Sequence, residues 1–230
     1  MKRTPSHATD GPVDPLRRGD QRVMEKRGRL HVYERLEPAK TALLVVDVQG
    51  YYRDLVPDLA TVSENINVLA SRLRSRGGLV VWVQNTMGAN GVSTWPEYHE
   101  RFFSQAKARE HMTRLGRGHP DHALLSELKT ASEDARLEKF RFSPFAPGAS
   151  DLEPLLAERG IENIIIAGVA TNVCCESTAR DAMMRNYRVL VVSDATAALT
   201  KEDHFTSLVS LSSCFADIRT TEEVARDVLG

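Results

Sequence analysis

Short apolar runs that alternate with helix-like segments constrain the fold of this chain more than any other feature of its sequence. The clearest runs cover residues 41–46, 79–83, 163–167 and 188–192, and each has the length of a strand. They are apolar over most of their length, as strands are when helices cover both faces of a parallel sheet. Repeated βα units of this kind predict an α/β fold with a mainly parallel, doubly wound sheet.

Weaker signals complete the predicted set of elements. A helix over 59–76 has apolar residues at helical spacing and ends at Gly77. Further helices are predicted over 97–108, 151–159, 173–185, 202–211 and 221–228. Short strands are predicted over 137–139 and 214–218.

Length and composition favour one ordinary globular domain. The chain has 230 residues, of which 42% are hydrophobic and 27% are charged, and these values are typical of folded domains. The formal net charge of −1 gives no reason to expect a nucleic acid as a partner. We expect no membrane association, because no stretch approaches the ~20 apolar residues that span a bilayer.

The cysteines and the N-terminus favour a cytoplasmic location. The chain has three cysteines, of which Cys174 and Cys175 are adjacent, and an odd number cannot form a complete disulfide framework. Cys214 falls in the predicted strand 214–218 and is expected to be inert core. The N-terminus lacks the apolar segment of a secretory signal.

Two segments stand apart from the alternating pattern. Residues 1–38 are rich in Arg, Asp, Pro and Gly, and we interpret them as an irregular N-terminal arm that precedes a domain over 39–230. The alternative is an arm that docks on its own domain or on a neighbouring subunit. Its candidate anchors are Val23, Leu30, Val32, Tyr33 and Leu36. Residues 86–120 contain several glycines, prolines and aromatic residues and are interpreted as an insertion, either a lid or a subunit contact.

The segment from Gly168 to Ala182 contains the strongest candidate for a nucleophile. It follows a predicted strand and leads into a predicted helix, so Cys174 lies in the first helical turn. Backbone N–H groups and the positive end of the helix dipole favour a thiolate at such a position. The N–H groups around Ala170 and Cys174 can also form an oxyanion hole.

Two more reactive side chains are predicted at the same edge of the sheet. Asp47 follows the strand over 41–46, and Lys139 ends the strand over 137–139. Doubly wound sheets bind ligands at the carboxyl ends of their strands, so the fold would bring both residues to Cys174. Asp47 can accept the thiol proton and return it to a leaving amine, and Lys139 can stabilise both groups. This combination predicts acyl transfer to water through a covalent thioester.

These motifs resemble the isochorismatase-like cysteine hydrolases. The resemblance covers roughly residues 39–218. It rests on Leu-Val-Val-Asp-Val-Gln over 44–49, on Glu-Lys-Phe-Arg-Phe-Ser over 138–143, and on the segment 168–182. The last of these segments is the most specific to the family.

The resemblance implies a fold and a set of roles. The fold would be a three-layer α/β/α sandwich with a six-stranded, mainly parallel sheet. Asp47, Lys139 and Cys174 match the family's catalytic triad. The family also implies a cis peptide between Val169 and Ala170, next to the oxyanion hole that the Cys174 backbone completes.

Within the family, the nucleophile and the missing metal motif favour one branch. A cysteine at the nucleophile position favours hydrolysis of an amide or ureide C–N bond over the enol ether of isochorismatases proper. Metal-binding members carry an Asp-x-His motif where this chain reads Gln-Asn-Thr-Met-Gly over 84–88, so we expect no metal and no other cofactor. Family members usually assemble, which implies a homo-oligomer, either a dimer or a tetramer. The alternatives are an isochorismatase-type ether or ester hydrolase and a non-catalytic binding or scaffold subunit.

The pattern is similar to the ureidoacrylate amidohydrolase type, with one departure. That type carries a tyrosine where this chain has Phe142, and a phenyl ring lacks the hydroxyl donor. The expected substrate is therefore a small amide, ureide or carbamoyl compound without a closer assignment. Gln49, Asn85, Trp95 and Phe142 are the candidates for lining its pocket.

Cys175 and His204 are interpreted as structural residues. The three-residue step from Thr171 to Cys174 matches the family and selects Cys174 over Cys175, which is expected to pack against the sheet. His204, at the start of a predicted helix, is interpreted as structural. The alternative for His204 is a contact with a neighbouring loop.

Overall fold

A six-stranded parallel sheet lies at the centre of the molecule. The computed structural model describes residues 15–88 and 95–230. The strands are β1 (Thr41–Val46), β2 (Leu79–Asn85), β3 (Ala135–Lys139), β4 (Asn163–Val169), β5 (Arg188–Ala197) and β6 (Asp217–Arg219). Their order is β3-β2-β1-β4-β5-β6, and every neighbouring pair is parallel. The α/β fold class and the parallel, doubly wound sheet predicted from the sequence are confirmed.

Helices cover both faces of this sheet. Those of the described residues are α1 (Pro15–Arg27), α2 (Leu59–Arg74), α3 (Pro96–Arg101), α4 (Gln105–Arg114), α5 (Leu152–Glu158), α6 (Glu176–Met184), α7 (Lys201–Cys214) and α8 (Thr221–Glu223). Within the described ranges, none of them has the length and apolar composition needed to cross a membrane.

The core consists of two apolar layers separated by the sheet. Along β1, Leu43 and Val45 pack into the layer that contains α2, whereas Leu44 and Val46 pack into the layer that contains α5, α6 and α7. Alternate strand residues point to opposite faces, and both faces are covered here. This explains why the strands are continuous apolar runs.

The insertion contains two helices where one was predicted over 97–108. The first, α3, ends at Arg101, and α4 begins at Gln105. The Ser104 side chain accepts a hydrogen bond from the Lys107 N–H and caps α4. A serine in this position satisfies a backbone donor at a helix start, so it marks a new helix rather than the middle of one.

The edge strand predicted over 214–218 is wrong in its position. Helix α7 continues to Cys214, and the strand begins only at Asp217. The buried apolar residues Leu208 and Leu211 hold this last part of α7 on the sheet. Cys214 is therefore exposed at a helix end and is not core.

The predicted C-terminal helix is only partly α-helical. The α-helix covers Thr221–Glu223, and a π-helical turn follows over Val224–Val228. Thr220 and Glu223 form a reciprocal capping box at its start. Val224 and Val228 still pack into the α2 layer.

The N-terminal segment, interpreted as irregular, contains a helix in its described part. Helix α1 occupies Pro15–Arg27, and its last turn is tied to α7 because Lys26 Nζ donates to the Ser213 carbonyl at 3.0 Å. Val23 and Leu36 are buried, so the segment docks on its own domain, which was the alternative interpretation. Residues 1–14 lie outside the described residues, and the domain boundary at residue 39 stays a prediction.

Candidate active site

The structure brings Asp47, Lys139 and Cys174 together at the carboxyl edge of the sheet. Lys139 Nζ lies 2.8 Å from Asp47 Oδ2 and 3.4 Å from Cys174 Sγ. Strand β3 is two strands away from β1, a separation of about 9–10 Å. Lys139 reaches Asp47 because its long side chain extends from β3 past the intervening strand β2. Lys139 Nζ also donates to the Arg141 carbonyl at 3.1 Å.

Burial dominates the electrostatics of the Asp47–Lys139 pair. Both side chains are fully buried. Burial raises the pKa of Asp47, and the nearby charge of Lys139 opposes that rise. Burial alone would lower the pKa of Lys139, but the charge of Asp47 outweighs it and raises that pKa. Lys139 therefore stays charged, while Asp47 is a stronger base than an exposed carboxylate.

Burial of Cys174 opposes the thiolate that the helix start favours. Only 3% of its surface is exposed. Burial and the charge of Asp47 raise the pKa of the Cys174 thiol, and Lys139 opposes them. The helix dipole stabilises a thiolate, but complete desolvation destabilises it by a larger free energy. A Cys174 that acts as a nucleophile would therefore need a base to accept its proton.

Cys174, the predicted nucleophile, lies in a π-helical turn between β4 and α6. We call Thr171–Cys175 the nucleophile turn. The peptide between Val169 and Ala170 is cis, at the position that the family resemblance implied. The N–H groups of Val173 and Cys175 both donate to the Ala170 carbonyl at 3.1 Å, and neither bond uses the N–H of Ala170 or Cys174.

Gly168 is required where β4 passes closest to β1. Its φ is +116°, and a Cβ at this position would lie 2.0 Å from the Val46 carbonyl oxygen. We expect Gly168→Ala to lower the free energy of unfolding by more than about 3 kcal/mol, since backbone strain and a backbone clash combine. Urea unfolding measures the loss. Gly160→Ala is the matched control, because its φ is +60° with no atom within 4 Å, and equal losses in the two variants would contradict the close approach.

Gln49 holds the strand ends together, so its predicted place in the substrate pocket is not supported. Its Nε2 donates to the carbonyls of Asn85 and His122 at 3.1 and 2.7 Å, and its Oε1 accepts from the Asn85 N–H at 2.8 Å. A glutamine amide has few further hydrogen bonds to offer. The side chain fixes the turn after β1, where Asp47 has a φ of 57°.

The other pocket candidates form two groups. Asn85 is opposite Lys139 in the β2–β3 register, and its buried Oδ1 accepts no hydrogen bond from the described residues. The rings of Trp95 and Phe142 pack 4.7 Å apart. The Arg141 guanidinium lies over the Trp95 ring at 5.1 Å, so these aromatic side chains are held in place.

Two residues near the triad escaped the sequence analysis. The Tyr98 ring packs 5.1 Å from Phe142, and burial raises the pKa of Tyr98 to about 12. Burial, with the charges of His99 and Lys139, lowers the pKa of His111 to about 4. Both side chains come from the insertion, which therefore contributes to the site. Only Tyr98, three residues after Trp95, had a local signal in the sequence.

Cys175 packs against the sheet as expected, and two histidines of the insertion contact each other. Cys175 is fully buried in the apolar layer beneath the nucleophile turn. His99 Nε2 lies 3.1 Å from His111 Nδ1, which ties α3 to α4. In the described part of the chain, no three His, Cys, Asp or Glu side chains are grouped to hold a metal ion, and the metal-free site stays a prediction.

Comparison with known proteins identifies the family of this chain. The family model for the Isochorismatase domain matches residues 41–223. The ureidoacrylate amidohydrolase RutB of Cronobacter sakazakii is 33% identical over 216 residues, which cover 82% of this chain and 92% of that protein. The same enzyme of Caulobacter segnis is 32% identical and covers 82% of this chain and 85% of its own length.

A solved structure shares the fold. The crystal structure of a cysteine hydrolase from Pseudomonas syringae pv. phaseolicola superposes with a TM-score of 0.76 at 28% identity, over 86% of this chain and 96% of that one. The family match spans β1 to α8 and thus includes all three residues of the triad. This chain belongs to the isochorismatase family.

Proposed function

We propose that this protein is a cysteine amidohydrolase that cleaves a C–N bond of a small amide, ureide or carbamoyl compound through a Cys174 acyl-enzyme. One observation supports it above the others: a single buried ammonium, Lys139 Nζ, contacts both the carboxylate of Asp47 and the thiol of Cys174. A base, a nucleophile and the cation that stabilises both are the groups that acyl transfer needs.

In the first step, Cys174 Sγ attacks the substrate carbonyl carbon while its proton moves to Asp47. The raised pKa of Asp47 lowers the cost of that transfer, because proton transfer is easier between groups of closer pKa. A C–S bond forms, and the carbonyl oxygen becomes an oxyanion. The N–H groups of Ala170 and Cys174 are the proposed donors to that oxyanion.

In the second step, the tetrahedral intermediate collapses. Asp47 gives its proton to the leaving nitrogen, the C–N bond breaks, and ammonia or an amine leaves a thioester on Cys174. Water then attacks the thioester carbonyl and gives a proton to Asp47. The second tetrahedral intermediate formed in this way then collapses. The C–S bond breaks, the carboxylic acid is released, and Asp47 returns the proton to Cys174. Lys139 stays charged throughout, which keeps Asp47 in reach of the sulfur.

Substrate class is supported by the relatives and by the pocket residues. The two relatives at 32–33% identity are named as ureidoacrylate amidohydrolases, and a ureide contains an amide N–H₂ group. The unpartnered Asn85 Oδ1 is a suitable acceptor for such a group. Trp95 and Phe142 offer flat apolar surfaces for the rest of a small planar substrate.

The activity should fall at acidic pH because Asp47 acts as a base. Below its pKa, Asp47 carries a proton and cannot accept another from Cys174. Because burial raises that pKa, we expect kcat/KM to fall with an apparent pKa above the ~3.9 of a free aspartate. Rates measured from about pH 4 to 10 test this, with circular dichroism to show that the protein stays folded. An activity that is unchanged down to about pH 4 would contradict a raised Asp47 pKa.

Product analysis separates the proposed function from its alternatives. Only C–N cleavage releases ammonia or an amine, so a panel of small amides, ureides and carbamoyl amino acids is assayed for both. Release from at least one compound, lost in Cys174→Ala, supports the amidohydrolase. Hydrolysis of ethers or esters alone would favour the isochorismatase-type alternative, and no turnover of any compound would favour a binding or scaffold subunit.

Assembly and location stay predictions. We propose a homo-oligomer, dimer or tetramer, and a cytoplasmic location. Phe102 of the insertion is 80% exposed, which suits a subunit contact beside the part of the insertion that lines the site. Light scattering combined with size-exclusion chromatography measures the assembly.

A further inference from the structure

Helix α7 contacts the nucleophile turn through polar side chains that the proposed mechanism does not use. His204 Nδ1 lies 2.8 Å from the Thr171 hydroxyl. The Ser207 hydroxyl oxygen lies 3.2 Å from the Thr171 carbonyl oxygen. His204 and Ser207 are three residues apart and therefore lie on one face of α7. One helix thus holds both the side chain and the carbonyl of Thr171.

Thr171 is placed where a small displacement would reach the reacting atoms. It is fully buried, directly follows the cis peptide at Ala170, and lies three residues before Cys174. A buried hydroxyl that loses its partner pays a desolvation cost of about 1–3 kcal/mol. The bond to His204 therefore favours one position of the turn over others.

The His204 ring has the protonation state that this bond needs. Burial lowers the pKa of His204, while a hydrogen bond with the Ser193 carbonyl opposes that change. A neutral imidazole at pH 7 has one acceptor nitrogen. The Thr171 hydroxyl can therefore donate to Nδ1, which a protonated ring would not accept.

Helix α7 is itself anchored on both sides. Towards the site, Ser207 also hydrogen-bonds the Glu176 carboxylate, and Arg180 joins Glu176 to the Ser210 hydroxyl at 2.6 and 2.8 Å. On the outer side, Lys26 of α1 donates to the last turn of α7. Because α7 is held in this way, its contacts can keep the nucleophile turn in one position.

We propose that His204 and Thr171 are positioning residues, through which α7 fixes the nucleophile turn so that Cys174 Sγ and the oxyanion donors meet the substrate carbonyl in one geometry. Neither residue has a role in bond making, because both act through Cys174. This inference rests on the proposed cysteine amidohydrolase activity. It adds a further element, helix α7, which supplies no residue of the triad but on which the rate of acylation depends.

The first test separates kcat from KM. We expect Thr171→Val and His204→Leu each to lower kcat by about 10- to 100-fold, because misplacement of a nucleophile slows the chemical step, and to change KM by less than about threefold. His204→Asn should retain kcat within about threefold, since its amide oxygen can accept near the position of Nδ1. The double variant Thr171→Val/His204→Leu should be no slower than the slower single variant. Lys201→Ala, an exposed change on the same helix, is the control.

The second test does not depend on activity. Amide hydrogen exchange of a peptide covering residues 170–176 should be about tenfold faster in Thr171→Val and His204→Leu, and unchanged in His204→Asn and Lys201→Ala. Unaltered kcat and exchange in the first two variants would overturn the proposal, as would an effect confined to KM. If the wild type hydrolyses no amide or ureide but exchange responds as expected, the proposed function fails and the positioning of the turn stands.

Discussion

Cys174→Ala is expected to lower the rate of C–N hydrolysis by at least about 10⁴-fold while substrate still binds. Without the sulfur there is no acyl-enzyme, and the remaining oxyanion donors and bound water give only a small residual rate. Steady-state ammonia release measures the loss, and isothermal titration calorimetry measures the dissociation constant. The change removes one buried sulfur, so the variant should stay folded.

Two matched variants show whether the effect belongs to Cys174. Cys175 is adjacent and equally buried, so Cys175→Ala tests a similar loss of packing without loss of the nucleophile. Cys214 is exposed, and Cys214→Ser tests a thiol far from the site in the sequence. Both should keep activity within about threefold. A Cys175→Ala variant as inactive as Cys174→Ala would mean that packing beneath the turn, and not the nucleophile, explains the loss.

Lys139→Met is expected to remove activity and to destabilise the protein together. Methionine has a similar length but no charge, so Asp47 would be left buried without its cation. Breaking a buried ion pair by removing one partner costs about 3–5 kcal/mol, and we expect that loss near pH 7 together with a drop in kcat of at least about 10³-fold. Urea unfolding and steady-state kinetics measure the two effects.

The double variant Asp47→Asn/Lys139→Met separates the two effects. It removes both charges, so most of the stability should return, whereas activity should stay lost because the base is absent. The stability loss of Lys139→Met should also shrink at acidic pH, since protonation of Asp47 removes the unpaired charge. A Lys139→Met variant that is both stable and active would contradict the role given to the lysine.

The meeting of Asp47, Lys139 and Cys174 could be predicted because sheet topology brings them together. Asp47, Lys139 and Cys174 each follow or end a strand, and in a parallel sheet those ends share one edge. Lys139 ends a weak strand of five residues. It could be identified as a candidate only because Asp47 and Cys174 already defined the carboxyl edge of the sheet. Periodicity also gave α2 within two residues of its observed end.

Contacts between distant segments could not be predicted in the same way. Gln49 is held by the carbonyl of His122, 73 residues later, and no local pattern indicates that bond. The positions of Tyr98 and His111 depend on how α3 and α4 fold over the triad, which a pattern rich in glycine and proline does not specify. The state of the Cys174 thiol depends on its burial, which opposes the local helix dipole.

The most direct test of the proposed chemistry is the detection of the acyl group on the enzyme. During turnover of an active amide or ureide, rapid acid quenching followed by peptide mass mapping should show the acyl mass on the peptide that contains Cys174. That mass should be absent in Cys174→Ala and unchanged in Cys214→Ser. Turnover with no added mass on Cys174, even after quenching in the first milliseconds, would contradict an acyl-enzyme and favour direct attack by water.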